Sequence, residues 1–397
     1  MIHLMWVATI ISWILGIVVV GSLCLWVGLA CRLRAMSRTK ATIREGLSLP
    51  LPTDESVSIV VPAHNEERVI DRCATLLREQ SHEEIELIFV LDRCNDGTHK
   101  LLQKHAYEDP RIRIIQNDRC PDDWSGKCHA AQIGANEATG KWLLFTDADT
   151  QFDRELVRCA VASAIQRKAS LLSILSTLTI TKTFERIVQP IASIFLVRQF
   201  PVDRVNHPQR ARPFANGQFL LFSRVAYEGI GGHESVKKEL LEDIAFAKLI
   251  CRKTEGRVQV LFADGMLKCS MYSTFTAFRS GWKRIYIEAH NRNVKKLKRS
   301  ASTALVVGVV LPLAGIAGMV LGYSDSPSLF WTAAASLAAF IFVISWLYKI
   351  NGTPVVFAVF SPIGAVVVAQ LMLDAASMLQ RGEPIRWGGR EYVLEPK

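Results

Sequence analysis

Hydrophobic positions are distributed unevenly along this chain. Met5 to Ala30 contains no charged residue and is long enough to cross a bilayer, which takes about 20 residues. Three further apolar stretches follow near the C-terminal end, at residues 301–322, 329–348 and 355–373. The pattern predicts one N-terminal and about three C-terminal membrane helices with a polar region between them.

A membrane anchor explains the first apolar stretch better than a cleaved signal peptide. No Lys or Arg precedes the stretch, and it is longer than the hydrophobic region of a signal peptide. Gly28-Leu29-Ala30-Cys31 weakly suggests a lipoprotein site, but such a site has an apolar residue where this chain has Gly28. We therefore expect the first helix to remain in the mature protein.

The polar region alternates short β-branched strands with helical segments. Strands are predicted at residues 58–62, 86–92, 112–115 and 141–145, and a helix follows each of the first three. This order is typical of an α/β fold with a Rossmann-like, mostly parallel sheet. Ligands of such sheets collect at the carboxyl ends of the strands. Polar residues at these ends are His64, Asn65, Glu66, Asp92, Asp96 and Asp149.

The formal net charge of +10 is concentrated beside the apolar stretches. Basic residues at these positions favour the cytoplasmic side of a membrane and attract anionic lipid headgroups, so we expect the polar region to be cytoplasmic. No aromatic-interleaved basic patch accompanies the charge, so we expect no nucleic-acid partner. The residues concerned are Arg32, Arg34, Arg38, Lys40 and Arg44 after the first stretch and Arg292, Lys295, Lys296, Lys298 and Arg299 before the second.

The nine cysteines form no C-x-x-C pair. In a cytoplasmic domain they are expected to be reduced. Cys120, Cys128 and His129 lie near one another in the sequence, but their spacing fits no zinc-finger pattern. A zinc site is therefore disfavoured.

Two carboxylates follow the fourth predicted strand. Asp147 and Asp149 are separated by one residue, so an extended chain places them on the same side. Carboxylate oxygens are hard ligands for a divalent cation that carries a diphosphate. No G-x-G-x-x-G or P-loop motif offers another phosphate site. The alternative is an ordinary turn in which Asp149 or Thr150 caps a helix that begins near Asp153.

The segment 60–67 reads Val-Val-Pro-Ala-His-Asn-Glu-Glu, Gly126-Lys127 precedes the third helix, and Asp147 and Asp149 form a D-x-D. With these motifs, residues 56–284 resemble the inverting glycosyltransferases with the GT-A fold, in the family (glycosyltransferase family 2) that includes cellulose, hyaluronan and ceramide glucosyl synthases. The three motifs are similar to the family's V-P-A-x-N-E-E, its G-K near the nucleotide and its metal-binding D-x-D. Asp92 lies where relatives have an Asp that contacts uracil. The resemblance implies a divalent metal, Mg²⁺ or Mn²⁺, on the two D-x-D carboxylates. It implies a donor site of Pro62, Ala63, His64, Glu66, Asp92, Lys127, Asp147 and Asp149.

The acceptor half of the site also has a counterpart. Gly231-Gly232-His233-Glu234 resembles a segment near the acceptor, and Glu242-Asp243 resembles an E-D pair whose Asp is the catalytic base. Without the resemblance, the acidic pair would be interpreted as two solvated residues on a helix. The implied reaction is a single displacement, in which Asp243 removes the proton of the acceptor hydroxyl and configuration inverts.

One motif departs from the pattern of processive relatives. They carry Q-x-x-R-W, which holds the acceptor and the pyrophosphate, whereas this chain has Arg279 in place of the Gln, Gly281 in place of the Arg, and Trp282. Lys283 or Arg284 is then expected to supply the cation. A second interpretation, compatible with the first, is an interfacial helix at residues 274–293 whose aromatic side chains lie among lipid headgroups.

This departure favours the branch that resembles ceramide glucosyltransferases and the hopanoid- or carotenoid-associated glycosyltransferases. Asn216-Gly217-Gln218-Phe219 and the segment 387–392 also resemble that branch, although a disordered end is an alternative for the tail. The acceptor there is a membrane lipid. Residues 184–200 are predicted to form a helix, either on the membrane beside the acceptor or buried in the protein.

The sequence thus predicts an enzyme of a bacterial-type inner membrane that moves one sugar from a nucleotide-sugar donor, expected to be a UDP-sugar, to a lipid hydroxyl. The alternatives are a processive polysaccharide synthase and a catalytically silent scaffold. The sugar, the lipid and the choice of Mg²⁺ or Mn²⁺ stay open. The predicted segments are the N-terminal helix 1–31, a basic linker 32–55, the catalytic domain 56–272, an interfacial helix with a basic segment 273–300, the C-terminal membrane helices 301–375 and the tail 376–397.

The side of the membrane on which the tail lies is ambiguous. Three crossings after a cytoplasmic domain place the tail outside, whereas Arg381, Arg386, Arg390 and Lys397 favour the inside. A last segment that is kinked or re-entrant would remove the conflict, and it contains Pro354, Pro362 and Gly364.

Overall fold

A computed structural model describes residues 2–38, 40–207, 213–253, 256–272 and 274–397. Its central element is a mixed β-sheet covered by helices on both faces. In chain order the strands are β1 Val57–Ala63, β2 Ile85–Asp92, β3 Ile112–Asn117, β4 Trp142–Thr146, β5 Thr150–Phe152, β6 Ala169–Leu175, β7 Thr177–Leu178, β8 Phe219–Ser223, β9 Arg257–Phe262, β10 Leu267–Cys269, β11 Ile385–Trp387 and β12 Arg390–Tyr392.

Helices cover the sheet and form both ends of the chain. They are α1 Ile2–Arg38, α2 Ile70–Arg78, α3 Thr98–Glu108, α4 Gly126–Glu137, α5 Leu156–Gln166, α6 Thr183–Gln199, α7 Val202–Val205, α8 Arg224–Gly229, α9 Glu242–Lys253, α10 Phe275–Ala289, α11 Val294–Leu305, α12 Leu311–Asp325, α13 Pro327–Ile350 and α14 Ser361–Arg381. A short π-helix at Val306–Val310 joins α11 to α12. Short 3₁₀ helices form at Ile43–Ser48, His233–Val236 and Val355–Phe360.

The main sheet has the order β3-β2-β1-β4-β8-β6-β9 within the described residues. The strands β1 to β4 are mutually parallel where they pair, and β8 is antiparallel to both β4 and β6. The side chains of β1, β2, β4 and β8 are mostly apolar and buried on both faces, as covered parallel sheets require, whereas the edge strand β3 buries only Ile112. The predicted α/β fold with a mostly parallel sheet is confirmed. Because β8 runs in the opposite direction, its first residue lies at the same edge as the carboxyl ends of β1 to β4.

The loop after β1 is longer than the sequence pattern predicts. The pattern begins a helix at residues 63–67, whereas α2 begins at Ile70. Asn65 has a φ of +58°, which no α-helix accommodates. The segment between β1 and α2 therefore stays open as a loop above the sheet edge.

Four helical segments are long and apolar enough to cross a membrane, as predicted, in the part of the chain that the structure describes: Thr9–Arg38, Val294–Ser324, Pro327–Ile350 and Val355–Arg381. Helices α1, α12 and α13 pack against one another, and large apolar side chains such as Trp13 and Trp331 are exposed on their outer faces. The basic residues at 32–38, expected in a linker, form the end of α1, and those at 295–299 form the start of α11. The boundary predicted at Ser273 lies outside the described residues.

Three of the aromatic residues of α10 are buried inside the protein, whereas Phe275 at its start is exposed. Phe278, Trp282 and Tyr286 are buried against other helices of the protein. The indole of Trp282 donates a hydrogen bond to Gln189 (3.3 Å), and the Tyr286 hydroxyl donates one to the carbonyl of Ala192 (3.2 Å). Because α6 and α14 cover this helix, its amphipathic pattern reflects burial inside the protein.

The C-terminal tail is an ordered hairpin that returns to the sheet domain. Helix α14 packs on α6, α10 and α11, and β11 pairs with β12 immediately after it. The hydroxyl of Tyr392 accepts a hydrogen bond from the backbone N–H of Gly126 (3.4 Å). The tail therefore lies on the same side of the molecule as the sheet domain, and a disordered end is excluded.

Candidate active site

A cavity of about 1910 Å³ opens at the edge of the sheet where β1, β2 and β4 end. It extends from the sheet edge to α1, α6 and α13. The residues of the predicted donor site all line it: Pro62, Ala63, His64, Glu66, Asp92, Lys127, Asp147 and Asp149. The predicted residues Glu242, Asp243, Trp282 and Arg284 line it as well.

Three carboxylates converge at the sheet edge. Burial and the negative charge of Asp147 raise the pKa of Asp149 to about 7. Burial, with the charges of Asp149 and Asp147, raises the pKa of Glu66 to about 7 as well. The negative charge of these carboxylates favours the binding of a cation at this edge of the cavity.

The D-x-D pair fits the donor chemistry of a divalent cation. Oδ1 of Asp149 is buried and has no hydrogen-bond partner, while Oδ2 accepts a weak hydrogen bond from the Cys269 thiol (3.5 Å). A buried carboxylate oxygen without a partner is costly unless a ligand satisfies it. Among the described residues no group of three or more His, Cys, Asp or Glu side chains is arranged to hold a metal ion. Phosphate oxygens of a donor and water would thus have to complete the coordination of an ion on Asp147 and Asp149.

Lys127 lies between the predicted donor and acceptor halves of the site. Its ammonium nitrogen lies 2.7 Å from Oδ1 of Asp147 and 2.7 Å from Oε1 of Glu242. Burial opposes its charge, but the two carboxylates more than compensate and raise the pKa of Lys127 above its ordinary value. It is a fixed cation, and it neutralises part of the acidic cluster when no ligand is bound.

Asp243 is held in one orientation by backbone amides. Its Oδ2 accepts a hydrogen bond from the N–H of Gly217, and its Oδ1 accepts one from the N–H of Ile244, each at 2.7 Å. Burial, and then the charge of Glu242, raise the pKa of Asp243 to about 7 despite these hydrogen bonds and the nearby Lys127. A half-buried carboxylate with a raised pKa is suited to accept a proton at neutral pH.

The start of β8 supplies site residues that the sequence suggested only by resemblance. A Cβ at Gly217 would lie 3.2 Å from Oδ2 of Asp243 and 3.3 Å from the Lys127 nitrogen, so glycine permits their close approach. Gln218 donates a hydrogen bond to the Cys269 sulfur (2.9 Å) beside Asp149. The N-G-Q-F segment was the available signal, but only the antiparallel course of β8 brings it to this edge.

Asp92 lies at the end of β2 with its carboxylate already engaged. It accepts hydrogen bonds from Arg93 (2.5 Å) and from the Asn117 amide (2.8 Å), and its own carbonyl lies 2.6 Å from Nδ1 of His64. Gly126 at the start of α4 approaches closely, since a Cβ there would lie 3.0 Å from Asp92. Asp92, which the resemblance assigns to nucleobase contact, is therefore held in a fixed orientation in the wall of the cavity.

Four predicted acceptor or diphosphate residues lie outside this cavity. Gly232, Arg279 and Lys283 do not line it, and Arg279 forms an ion pair with Asp374 of α14 (3.0 Å). His233 is buried behind the sheet edge, where its Nδ1 lies 2.7 Å from the Tyr227 hydroxyl. Burial lowers the pKa of His233 to about 3, so it is neutral. Arg284 is thus the cation of α10 that reaches the cavity.

His233→Ala should destabilise the protein without removing a catalytic group. The substitution leaves the Tyr227 hydroxyl short of a partner and opens a space beside Phe145 and Phe246, which should lower the free energy of unfolding by about 2–4 kcal/mol. Tyr227→Phe is the matched control, because it removes the hydroxyl but keeps the ring. Thermal unfolding in detergent would measure both. A loss of catalytic rate at an unchanged melting temperature would contradict this assignment.

Comparison with known proteins finds similarity in the sheet domain. Residues 58–231 match the family model Glycosyl transferase family 2. A 4,4'-diaponeurosporenoate glycosyltransferase of Staphylococcus haemolyticus (strain JCSC1435) is 22% identical over 235 residues, which are 58% of this chain and 61% of that protein. The protein of the same name from Staphylococcus aureus (strain USA300) is 22% identical over 346 residues, which are 86% of this chain and 89% of that protein.

Solved structures are similar at a lower level. The mannosyltransferase PcManGT from Pyrobaculum calidifontis, in complex with GDP-Man and Mn²⁺, aligns with a TM-score of 0.48 and 17% identity over 92% of this chain and 98% of that chain. TarS 1–349 of S. aureus, in complex with UDP-GlcNAc, aligns with a TM-score of 0.39 and 13% identity over 85% and 96%. The solved structures add no argument at this level of similarity. Residues 58–231 of this chain are similar to a glycosyl transferase family 2 domain.

Proposed function

We propose that this protein is a membrane-embedded, metal-dependent, inverting glycosyltransferase that moves one sugar from a nucleoside-diphosphate sugar to the hydroxyl of a lipid. UDP is our first choice of nucleotide. The observation that carries the proposal is a single cavity that joins the D-x-D carboxylates and Asp243 to an apolar space between membrane helices. A donor in the polar part of the cavity and an apolar acceptor between the membrane helices can therefore meet at Asp243.

The donor half would be formed by the ends of β1, β2 and β4. Asp147 and Asp149 would hold a divalent cation, which when bound neutralises charge that develops on the leaving diphosphate. Lys127 adds a fixed positive charge 2.7 Å from Asp147. Asp92 and His64 form the wall on which the nucleoside would rest.

Asp243 would act as the base. It takes the proton of the acceptor hydroxyl while the hydroxyl oxygen attacks the anomeric carbon, and the bond from that carbon to the diphosphate oxygen breaks. Its two amide donors fix the carboxylate before the acceptor arrives, which reduces reorganisation in the transition state. One displacement inverts configuration and requires no covalent nucleophile.

The acceptor half would be the apolar part of the cavity. Its wall combines the C-terminal part of α1 from Cys24, residues 189–198 of α6 and the C-terminal end of α13 from Phe340. The name of the staphylococcal relatives refers to diaponeurosporenoate, which supports a long apolar acceptor here. Apolar residues of this wall include Leu29, Leu33, Ile191, Ile194, Phe195, Ile344 and Leu347.

The proposed location is a bacterial-type plasma membrane with the sheet domain in the cytoplasm. The basic end of α1 and the basic start of α11 favour this orientation. If α1, the continuous α11–α12 and α13 cross the membrane, α14 begins on the domain side. The hairpin after α14 contacts the same domain, so α14 would dip into the membrane and return. We propose that the tail lies inside, which is consistent with three full crossings and a re-entrant α14.

The test is nucleotide release by the detergent-purified protein, supplied with Mn²⁺ or Mg²⁺, a panel of UDP- and GDP-sugars and a membrane-lipid extract. We expect release of nucleoside diphosphate and a lipid heavier by one sugar unit in the mass spectrum. A ladder of sugar units would support a polysaccharide synthase instead. Donor binding without product from any lipid extract would favour a silent scaffold.

A further inference from the structure

The hairpin β11–β12 covers the edge of the sheet where the proposed donor site lies. Trp387, Gly388, Gly389 and Tyr392 line the cavity together with Asp92. None of these hairpin residues belongs to the segment that matches the family model, which ends at residue 231. A piece of chain more than 150 residues downstream thus forms part of the cavity wall.

The turn of this hairpin is built for close approach. Gly388 and Gly389 have φ values of +56° and +73°, as a two-residue turn with positive φ at both central positions requires. A Cβ on Gly389 would lie 3.0 Å from Nε2 of His64. The carbonyl of Gly388 accepts a hydrogen bond from Arg93 (3.4 Å), the residue that also holds Asp92.

Arg390 fastens the hairpin to the loop before α4. Its guanidinium donates hydrogen bonds to the carbonyls of Pro121 (3.0 Å) and Trp124 (2.8 Å) and to the carboxylate of Asp122 (3.0 Å). The Arg390 side chain is mostly buried in these contacts. Multiple charge-assisted hydrogen bonds of this kind fix orientation as well as position.

Arg284 is held by the hairpin and lacks an acidic partner. Its guanidinium carbon lies 4.4 Å from the ring centroid of Trp387, and one terminal nitrogen donates to the carbonyl of Leu240 (2.9 Å). Its Nε is buried without a partner, and among the described residues no carboxylate forms a salt bridge with it. By contrast, Lys127 and Arg93 are both paired with carboxylates.

Arg284, Tyr272 and Asp149 all line the cavity. Burial raises the pKa of Tyr272 to about 12, and Arg284 opposes this rise while Asp149 adds to it. Both charges therefore act on the same phenol. Of the two cations that the sequence offered for the diphosphate, Arg284 lines the cavity and Lys283 does not.

We propose that the C-terminal hairpin completes the donor site, with Trp387 as a positioning residue that holds Arg284 towards the diphosphate of the donor. This inference rests on the proposed function and deepens it. A guanidinium stacked on an indole keeps its remaining N–H groups in one plane, ready for two phosphate oxygens. The hairpin turn at Gly388 and Gly389 closes the same site above His64 and Asp92.

The test measures binding of UDP and of UMP, each with Mn²⁺, to the full-length protein in detergent by titration calorimetry, with GDP as a further ligand for the unmodified protein. Trp387→Ala should weaken UDP binding by about tenfold, equivalent to about 1.4 kcal/mol, because the β-phosphate loses an oriented cation. UMP binding should change by less than about twofold. Trp387→Phe should restore most of the UDP affinity, since it keeps an aromatic face for Arg284.

Two further variants make the test specific. Arg284→Ala should produce the same selective loss, and the double variant should lose little more than either single variant, because both act through one contact. Arg390→Ala, which releases the hairpin without touching Arg284, should weaken UDP binding in the same direction. Val393→Ala, at an exposed position beside the hairpin, is the control and should bind as the unmodified protein does.

The outcomes separate this inference from the proposed function. If the unmodified protein binds neither UDP nor GDP, the proposed function fails and the inference fails with it. If it binds UDP and Trp387→Ala binds equally well, only the role of the hairpin is refuted. Equal losses of UDP and UMP affinity would show that the hairpin supports the nucleoside or the fold, and would refute the positioning of Arg284.

Discussion

Asp243→Asn should lower the rate of sugar transfer by about 10²- to 10⁴-fold, the usual contribution of a general base. The amide cannot accept the acceptor's proton, while its size matches that of the carboxylate. UDP-sugar binding should stay within about twofold, or about 0.4 kcal/mol, because the donor carboxylates and Lys127 are unchanged. Single-turnover transfer and calorimetric donor titration measure the two effects separately.

The fold of the Asp243→Asn variant requires a check, because the carboxylate accepts two backbone hydrogen bonds. An Asn side chain can accept only one of them, from Gly217 or from Ile244, which should cost about 1 kcal/mol of stability. Asp54→Asn is the matched control, since Asp54 is exposed and pairs with Lys141 at the other edge of the sheet. Retained transfer in a folded Asp243→Asn protein would refute its role as the base.

The pH profile offers a second readout of the same residue. Burial and Glu242 raise the pKa of Asp243 to about 7, and only the ionised form can accept a proton. The transfer rate at saturating substrates should therefore rise with pH, reach half its plateau near pH 7 and fall as Asp243 is protonated below it. At saturating Mn²⁺, which would keep Asp149 ionised, the residual rate of Asp243→Asn should depend on pH less steeply than the rate of the unmodified protein, with Glu66 as the remaining group that titrates near pH 7. An unmodified protein with constant activity from about pH 5.5 to 8 would contradict the assignment.

Local patterns were sufficient to predict the first half of the fold. Strands β1 to β4 are short, mainly apolar runs that end in or are followed by a polar residue, and each lies within two residues of its predicted bounds. The D-x-D follows directly from one such strand. The Glu242-Asp243 pair was found by resemblance alone, because nothing in its local sequence separates it from a solvated helix start.

The rest of the site depends on contacts between distant parts of the chain. Arg279 and Arg284 are both basic residues of α10, and only the position of Asp374, 95 residues away, shows that Arg279 is engaged elsewhere. The Gly388-Gly389 pair between short strand-like segments is a hairpin signal in the sequence. Where that hairpin docks depends on the course of α14, which hydropathy describes as apolar without showing whether it crosses the membrane.

Asp149→Ala should abolish sugar transfer and remove the dependence of UDP binding on Mn²⁺. The unmodified carboxylate offers Oδ1, which is buried without a hydrogen-bond partner, beside Asp147. With one of two carboxylates gone, UDP affinity in Mn²⁺ buffer should fall by about tenfold or more, the size of effect expected when a charged ligand to an ion is lost. In EDTA, the unmodified protein and the variant should bind UDP equally weakly, because neither then holds an ion.

The comparison with and without EDTA separates a metal ligand from a structural residue. A substitution that only disturbs the cavity wall lowers UDP affinity in both buffers, whereas loss of a metal ligand lowers it only when Mn²⁺ is present. Asp54→Ala, at an exposed carboxylate on the other edge of the sheet, should bind UDP as the unmodified protein does in both buffers. Unchanged Mn²⁺ dependence in Asp149→Ala would show that the buried oxygen serves another purpose, and would leave Lys127 and Arg284 as the positive charges that the diphosphate meets.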